Sequence, residues 1–283
     1  MEIKKVGVIG CGQMGGGIVL TCAQAGYDVK VTEINQTLLD KGLNNIKSNL
    51  SRNVEKGRLS KDEMEAVLSR IYGTVILSDF SNCDLVVEAV IENMEMKKKL
   101  FTELDKICPT NTILATNTSC LSIIDMAMVT KRADKVLGIH FFNPVPVMKL
   151  VEVVKTIATS QETIDAGKQF VEKCGKKVVI AQDSPGFIVN RLMIPFILNA
   201  IHMMDSGIAT KEDIDAGINL GLNHPMGPLA LADLIGLDTI YFIANAMYTE
   251  LKDPQFATPP LLGKMVTAGW LGRKTGKGFY EYK

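Results

Sequence analysis

The stretch Gly10-Cys11-Gly12-Gln13-Met14-Gly15, set directly behind the apolar run at residues 6–9, restricts what this chain can fold into more than any other. Ile18, Val19, Cys22 and Ala25 then recur at helical spacing, and Gly26 closes the helix. Asp28-Val29-Lys30-Val31-Thr32 alternates as a second strand and ends at Glu33. Glycines alone also mark plain turns. Here they follow a strand, open a helix and precede an acid at the next strand's end, which together make the dinucleotide-binding pattern. Gly10 permits the tight turn, Gly12 lets the backbone approach a pyrophosphate, and Gly15 lets the helix pack on the strand, while the helix N-terminus offers N–H groups to phosphate. Glu33 would accept hydrogen bonds from the adenosine ribose. Ile34-Asn35-Gln36 supplies no arginine for a 2′-phosphate, so NAD is expected over NADP.

Strand and helix signals continue to alternate up to residue 184. Residues 37–68 are charged with a helical period, break near Lys56-Gly57 and restart at Ser60-Lys61-Asp62-Glu63, a capping-box pattern, so two helices form an excursion from the sheet. Their basic edge, Arg52, Lys56 and Arg58, reads by itself as a solvated face. Strands are expected at residues 74–77, 85–90, 112–116, 135–140, 148–154 and 177–180, and helices at 94–107 and 162–174. Glu92 follows the end of the 85–90 run, which is apolar enough to be covered on both faces. Asn117-Thr118-Ser119-Cys120 lies just past a strand's carboxyl end, where open sheets hold ligands. Ser119 serves equally well as the N-cap of a helix beginning near Leu121.

Asp183-Ser184-Pro185-Gly186 is the strongest punctuation in the chain. Beyond it only helical periods remain, at residues 187–204, 211–220 behind a Thr210 cap, and 229–251. The expected fold class is therefore α/β, a Rossmann-type, mostly parallel sheet with a helical excursion in residues 1–184, followed by an all-α domain in residues 185–283.

His140, one of three histidines, ends a strand-like segment that breaks at Asn143-Pro144. That puts a titratable ring at a strand end, although a lone histidine there also reads as a core residue bonded to a carbonyl. Pro144 and Pro146 suggest a turn that returns the chain alongside itself, so that Glu152 faces His140 across two neighbouring strands.

Lys plus Arg and Asp plus Glu balance at 31 each, so no global field favours nucleic acid or an anionic membrane. The six cysteines are scattered without CxxC pairing, which argues against zinc and against a disulfide framework. No metal is expected, and reduced thiols point to the cytoplasm. The first residues run straight into a strand, so no targeting segment is expected. Residues 186–204 carry only Arg191 as a charge, but Asn190, Pro195, Asn199 and His202 interrupt the run as suits a helix buried in protein rather than lipid.

Several of these stretches, taken in order, resemble one family. They are Gly10 to Gly15, Asn117-Thr118-Ser119, His140-Phe141-Phe142-Asn143-Pro144, Val147-Met148-Lys149-Leu150-Val151-Glu152, Pro185-Gly186-Phe187-Ile188-Val189-Asn190-Arg191, His224-Pro225-Met226-Gly227-Pro228 and Gly269-Trp270-Leu271-Gly272-Arg273-Lys274. The chain resembles the L-3-hydroxyacyl-CoA dehydrogenases over essentially its whole length, most of all the bacterial 3-hydroxybutyryl-CoA dehydrogenases. The resemblance implies NAD as cofactor, acetoacetyl-CoA and 3-hydroxybutyryl-CoA as the substrate pair, and a homodimer formed through the C-terminal domain. It makes His140 the general acid and base, Glu152 its orienting group, and Ser119 and Asn190 the groups that hold the reacting carbonyl, in a cleft between domains. It places Gly10, Gly12, Gln13, Met14, Gly15, Glu33, Glu92, Lys97, Asn117, Asn143 and Lys274 around NAD, and Arg52 and Lys56 on the CoA phosphates. Cys120 stands where the family pattern leads one to expect serine. Leu261, Leu262, Met265, Val266 and Trp270 make a candidate dimer face, although by residue type alone they read as core.

The chemistry explains why such groups are needed. Hydride reduction of a 3-ketoacyl thioester leaves negative charge on the former carbonyl oxygen, which must take up a proton. An imidazole, with a reference pKa of about 6.5, carries that proton near neutral pH and takes it back in the oxidation. Ser119 and Asn190 can donate to the developing oxyanion. Two other readings use the same sheet: a β-hydroxyacid dehydrogenase acting on a non-CoA acid, and a crystallin-like, non-catalytic NAD-binding protein. The joint presence of Ser119, His140, Glu152 and Asn190 weighs against the second.

Overall fold

Short β-branched runs build a single sheet. In the computed structural model, which describes residues 2–282, the strands are β1 (Lys5–Ile9), β2 (Asp28–Thr32), β3 (Ile71–Thr74), β4 (Leu85–Glu88), β5 (Ile113–Thr116), β6 (Val136–Phe141), β7 (Leu150–Lys155) and β8 (Lys177–Gln182). Their spatial order is β3-β2-β1-β4-β5-β6-β7-β8. Neighbours pair in parallel except β6 and β7, so the last two strands run against the other six. Strands β4, β5 and β6 are buried at every residue, which is why they read as unbroken apolar runs.

Helices α1 (Gln13–Gln24), α2 (Gln36–Glu55), α3 (Lys61–Leu68), α4 (Met94–Ile107), α5 (Ile123–Ala127) and α6 (Gln161–Lys173) accompany this sheet. Ile18, Val19 and Cys22 of α1 join Val6, Val8, Val29 and Val31 in its core. The excursion is α2 plus α3, and α3 opens on the expected capping box, with Ser60 Oγ accepting from the Glu63 N–H at 3.1 Å and Glu63 accepting from the Ser60 N–H at 2.8 Å. Strand order reverses at β1, which opens a crevice at the carboxyl ends of β1 and β4. Gly10, at φ +97°, lies there, and a Cβ on it would stand 2.7 Å from the Ala89 carbonyl oxygen.

The strand expected at residues 74–77 is displaced to Ile71–Thr74. Residues 71–74 pair with Val29 to Thr32 of β2, and Gly73 lies against Leu39 and Leu43 of α2, where a Cβ would meet Leu43 at 2.9 Å. Thr74 then turns the chain, its hydroxyl accepting from the Ile76 N–H and donating to Asp79. Val75 and Ile76 are left exposed.

Contacts divide the chain after Asp183, and Ser184 begins the second unit. It holds α7 (Val189–Asp205), α8 (Lys211–Gly221), α9 (Pro228–Ile235), α10 (Leu237–Leu251) and α11 (Pro260–Thr267) around Ile194, Ile197, Leu198, Ile201, Leu229 and Ile240. The helical run expected at residues 229–251 is two helices bent by 97°. Gly236, at φ +106°, makes the break, a conformation that other residues rarely adopt. Two buried carboxylates tie the unit together: Asp215 accepts from the Leu229 and Ala230 N–H groups, and Asp233 accepts from those of Phe279 and Tyr280. Among the described residues no single helix is long and apolar enough to cross a membrane.

Candidate active site

The glycine loop delivers an uncapped helix end. No side chain caps α1 at Gly12, and no acid occupies its first turn, so its leading N–H groups and dipole are available to an anion. Gly15 packs so closely that a Cβ would lie 2.0 Å from the Gly10 oxygen. Gly12, by contrast, is exposed and faces open space on the side a Cβ would occupy. Glu33 braces the loop, its Oε1 accepting from the Cys11 N–H at 2.7 Å and its Oε2 from the Ile34 N–H at 3.2 Å. A carboxylate has about four acceptor sites, so capacity for ribose hydroxyls remains. A groove of about 500 Å³ begins here, lined by Gly12, Gln13, Glu33, Lys41 and Asn143 among others. Gln13 Nε2 donates to Asn143 Oδ1 at 3.0 Å. An uncapped helix end, a glycine without a neighbour and a bracing acid with spare acceptors fit a dinucleotide.

The antiparallel pairing of β6 with β7 sets His140 opposite Glu152 in register. His140 Nδ1 lies 2.6 Å from Glu152 Oε2, with the two side chains 5% and 0% exposed. An ionised carboxylate only accepts hydrogen bonds, so Nδ1 carries a proton and the ring orientation is fixed. The expectation that two prolines fold Glu152 back against His140 is met. Phe142 packs against the imidazole, with ring centroids 4.6 Å apart.

Past the ends of β4 and β5 lies a second polar group. Glu92 accepts from the Ser119 N–H at 2.7 Å and from the Thr118 hydroxyl at 2.9 Å. The cap reading of Ser119 fails: Ser122 caps α5, aided by Asp183, which accepts from the Ile123 and Ile124 N–H groups. The Cys120 thiol is buried and pushed up to about 12, by burial first and by Glu92 second, so it stays protonated at neutral pH.

Residues 5–184 match the model of the 3-hydroxyacyl-CoA dehydrogenase NAD binding domain, and residues 186–282 that of the 3-hydroxyacyl-CoA dehydrogenase C-terminal domain. A probable 3-hydroxybutyryl-CoA dehydrogenase of Bacillus subtilis is 48% identical over 283 residues, covering 100% of this chain and 99% of that protein. A 3-hydroxybutyryl-CoA dehydrogenase of Clostridioides difficile is 49% identical over 278 residues, covering 98% and 99%. The crystal structure of (S)-3-hydroxybutyryl-CoA dehydrogenase PaaH1 from Ralstonia eutropha superimposes with a TM-score of 0.96 at 43% identity, over 100% of both chains. The chain belongs to the 3-hydroxyacyl-CoA dehydrogenase family.

As a 3-hydroxyacyl-CoA dehydrogenase it is an NAD-dependent oxidoreductase, and its candidate residues fall into distinct places. Gly10, Gly12, Gln13, Met14, Gly15, Glu33 and Asn143 gather at the helix end and groove. His140, Glu152, Ser119 and Glu92 lie at the strand ends, and Asn117 ties two of those ends together by accepting from the Phe141 N–H at 2.9 Å. Asn190 is buried in the first turn of α7, in the second unit. Two cofactor candidates are paired with acids. Lys97 is 1% exposed, with its amine 2.6 Å from Glu88 and 3.3 Å from Glu92. Lys274 pairs with Asp238 at 2.6 Å within the second unit. Arg52 and Lys56 are exposed at the end of α2 and do not line the groove; Lys41, Asn45 and Asn49 of the same helix do. Their i, i+4, i+8 spacing was the available signal. Glu88 sits inside an apolar run, with no local signal that marks it as part of a site.

Proposed function

We propose that this dehydrogenase interconverts acetoacetyl-CoA and (S)-3-hydroxybutyryl-CoA with NAD(H), with His140 as general acid and base. The buried His140–Glu152 pair carries the proposal, and the relatives named 3-hydroxybutyryl-CoA dehydrogenase support the substrate. Bound NADH supplies the hydride. With Nδ1 held by Glu152, proton exchange with the substrate's 3-oxygen falls to Nε2, and Glu152 stabilises the imidazolium that forms when the hydroxy thioester is oxidised. Ser119 and Asn190 are the donors this reading assigns to the oxyanion. Arg52 and Lys56 remain its candidates for the CoA phosphates.

The test is NADH consumption on adding acetoacetyl-CoA. His140→Gln lowers kcat by roughly 10² to 10⁴, the usual contribution of a general acid-base group, while the NADH dissociation constant stays unchanged. A variant with near-full turnover removes His140 from the mechanism. Turnover of a small free hydroxy acid with none of the CoA ester favours the β-hydroxyacid reading instead.

The same reading makes the protein a cytoplasmic homodimer joined through the second unit. Of the candidate face Leu261, Leu262, Met265, Val266 and Trp270, Leu262 and Met265 are buried in the unit's own core and Trp270 is 41% exposed. Leu192, Leu220 and Leu222, 72%, 87% and 62% exposed, are the better apolar candidates.

A further inference from the structure

Glu88 is an acid at the end of a buried strand, 0% exposed, and the mechanism above does not use it. A carboxylate in such a place is costly unless each oxygen is bonded. Oε1 accepts from Lys97 Nζ at 2.6 Å and from the Val90 N–H at 2.7 Å, and Oε2 accepts from the Thr116 hydroxyl at 2.7 Å. Two chains of bonds leave it. One runs through Lys97, whose amine also lies 3.3 Å from Glu92, and Glu92 holds the Ser119 N–H and the Thr118 hydroxyl. The other runs through Thr116, whose oxygen accepts from the Thr118 N–H at 3.2 Å. The first ends on Thr118 and Ser119, the second on Thr118 alone.

We infer that Glu88 is a positioning residue for the reduction, setting the backbone at Thr118 and Ser119 through Lys97–Glu92 on one side and Thr116 on the other. The inference rests on the reading of Ser119 as an oxyanion donor. The physical reason for a buried pair is stiffness: Lys97 is anchored by a carboxylate that water does not reach, so Glu92, 26% exposed, cannot swing away with the bond it gives Ser119. Here two independent routes fix one short loop, and an oxyanion donor misplaced by about 1 Å can cost roughly 10²-fold in rate.

The test is a double-mutant cycle on the purified full chain with acetoacetyl-CoA and NADH. Glu88→Gln keeps the shape and removes the charge; it should lower kcat by roughly 10- to 100-fold while leaving the acetoacetyl-CoA KM essentially unchanged. In a Ser119→Ala background the same change should add little, since both act on one group. Amide hydrogen exchange at Ser119 should quicken in Glu88→Gln without a matching rise across the sheet. If Glu88→Gln does not fold, Thr116→Val tests the second route, with Thr116→Ser restoring the rate. A folded Glu88→Gln protein with full kcat, or full multiplicativity with Ser119→Ala, overturns the inference. Full turnover by Ser119→Ala alone instead removes Ser119 from the proposed mechanism, a separate outcome.

Discussion

Glu33 shows what a single side chain contributes beyond its motif. The sequence pattern marks it as a ribose reader, and the structure adds that it holds the glycine loop through the Cys11 N–H. Glu33→Ala should therefore do two things: narrow the preference for NAD over NADP, because repulsion of a 2′-phosphate is lost, and raise the KM for NAD, because the loop loses its brace. Steady-state kinetics with both cofactors check this, and an unchanged preference rules Glu33 out as the reader. Lys97 is the contrary lesson. A lysine on a charged helix reads as exposed, yet its partner Glu88 stands nine residues earlier on a strand, and only the folded sheet brings the two within 2.6 Å. Removing one partner of such a buried pair typically costs about 3–5 kcal/mol, because the other charge is left uncompensated.

At the scale of elements, the local rules hold where the stabilising partner is close in sequence. The α3 capping box is four residues long and was legible; Ser60 holds the Glu63 carboxyl below its ordinary value by hydrogen bonds from its N–H and hydroxyl. A depressed folded-state value means that this contribution is complete above the ordinary carboxylate range and fades as pH falls through the lowered value. Glu63→Gln should thus be less stable than the parent at neutral pH, with the gap closing in acid. Urea unfolding at several pH values measures it, and a gap that widens in acid contradicts the box. The displaced β3 and the break at Gly236 were not legible, since pairing with β2 and a positive φ at Gly236 decide them.

For the whole molecule, the assembly follows from which apolar side chains the second unit leaves outside its core. Leu220 and Leu222 flank Gly221, the last residue of α8, and are largely exposed. A dimer sealed there should dissociate in a Leu220→Glu, Leu222→Glu double variant. Sedimentation equilibrium reads the outcome: a monomeric parent protein overturns the dimer, and a variant that stays dimeric moves the face elsewhere.

Taken alone, the sequence determined the glycine loop, the alternation of strand and helix, most helix limits, and even the meeting of His140 with Glu152, because each depends on spacing along the chain or on one short turn. The tertiary structure decided the rest: that Glu88 and Lys97 share a buried pair, that Ser119 is held from its backbone rather than capping a helix, and that Lys41 rather than Arg52 faces the groove. Those outcomes depend on which groups lose water when distant segments pack, and burial of that kind is not written in any local spacing.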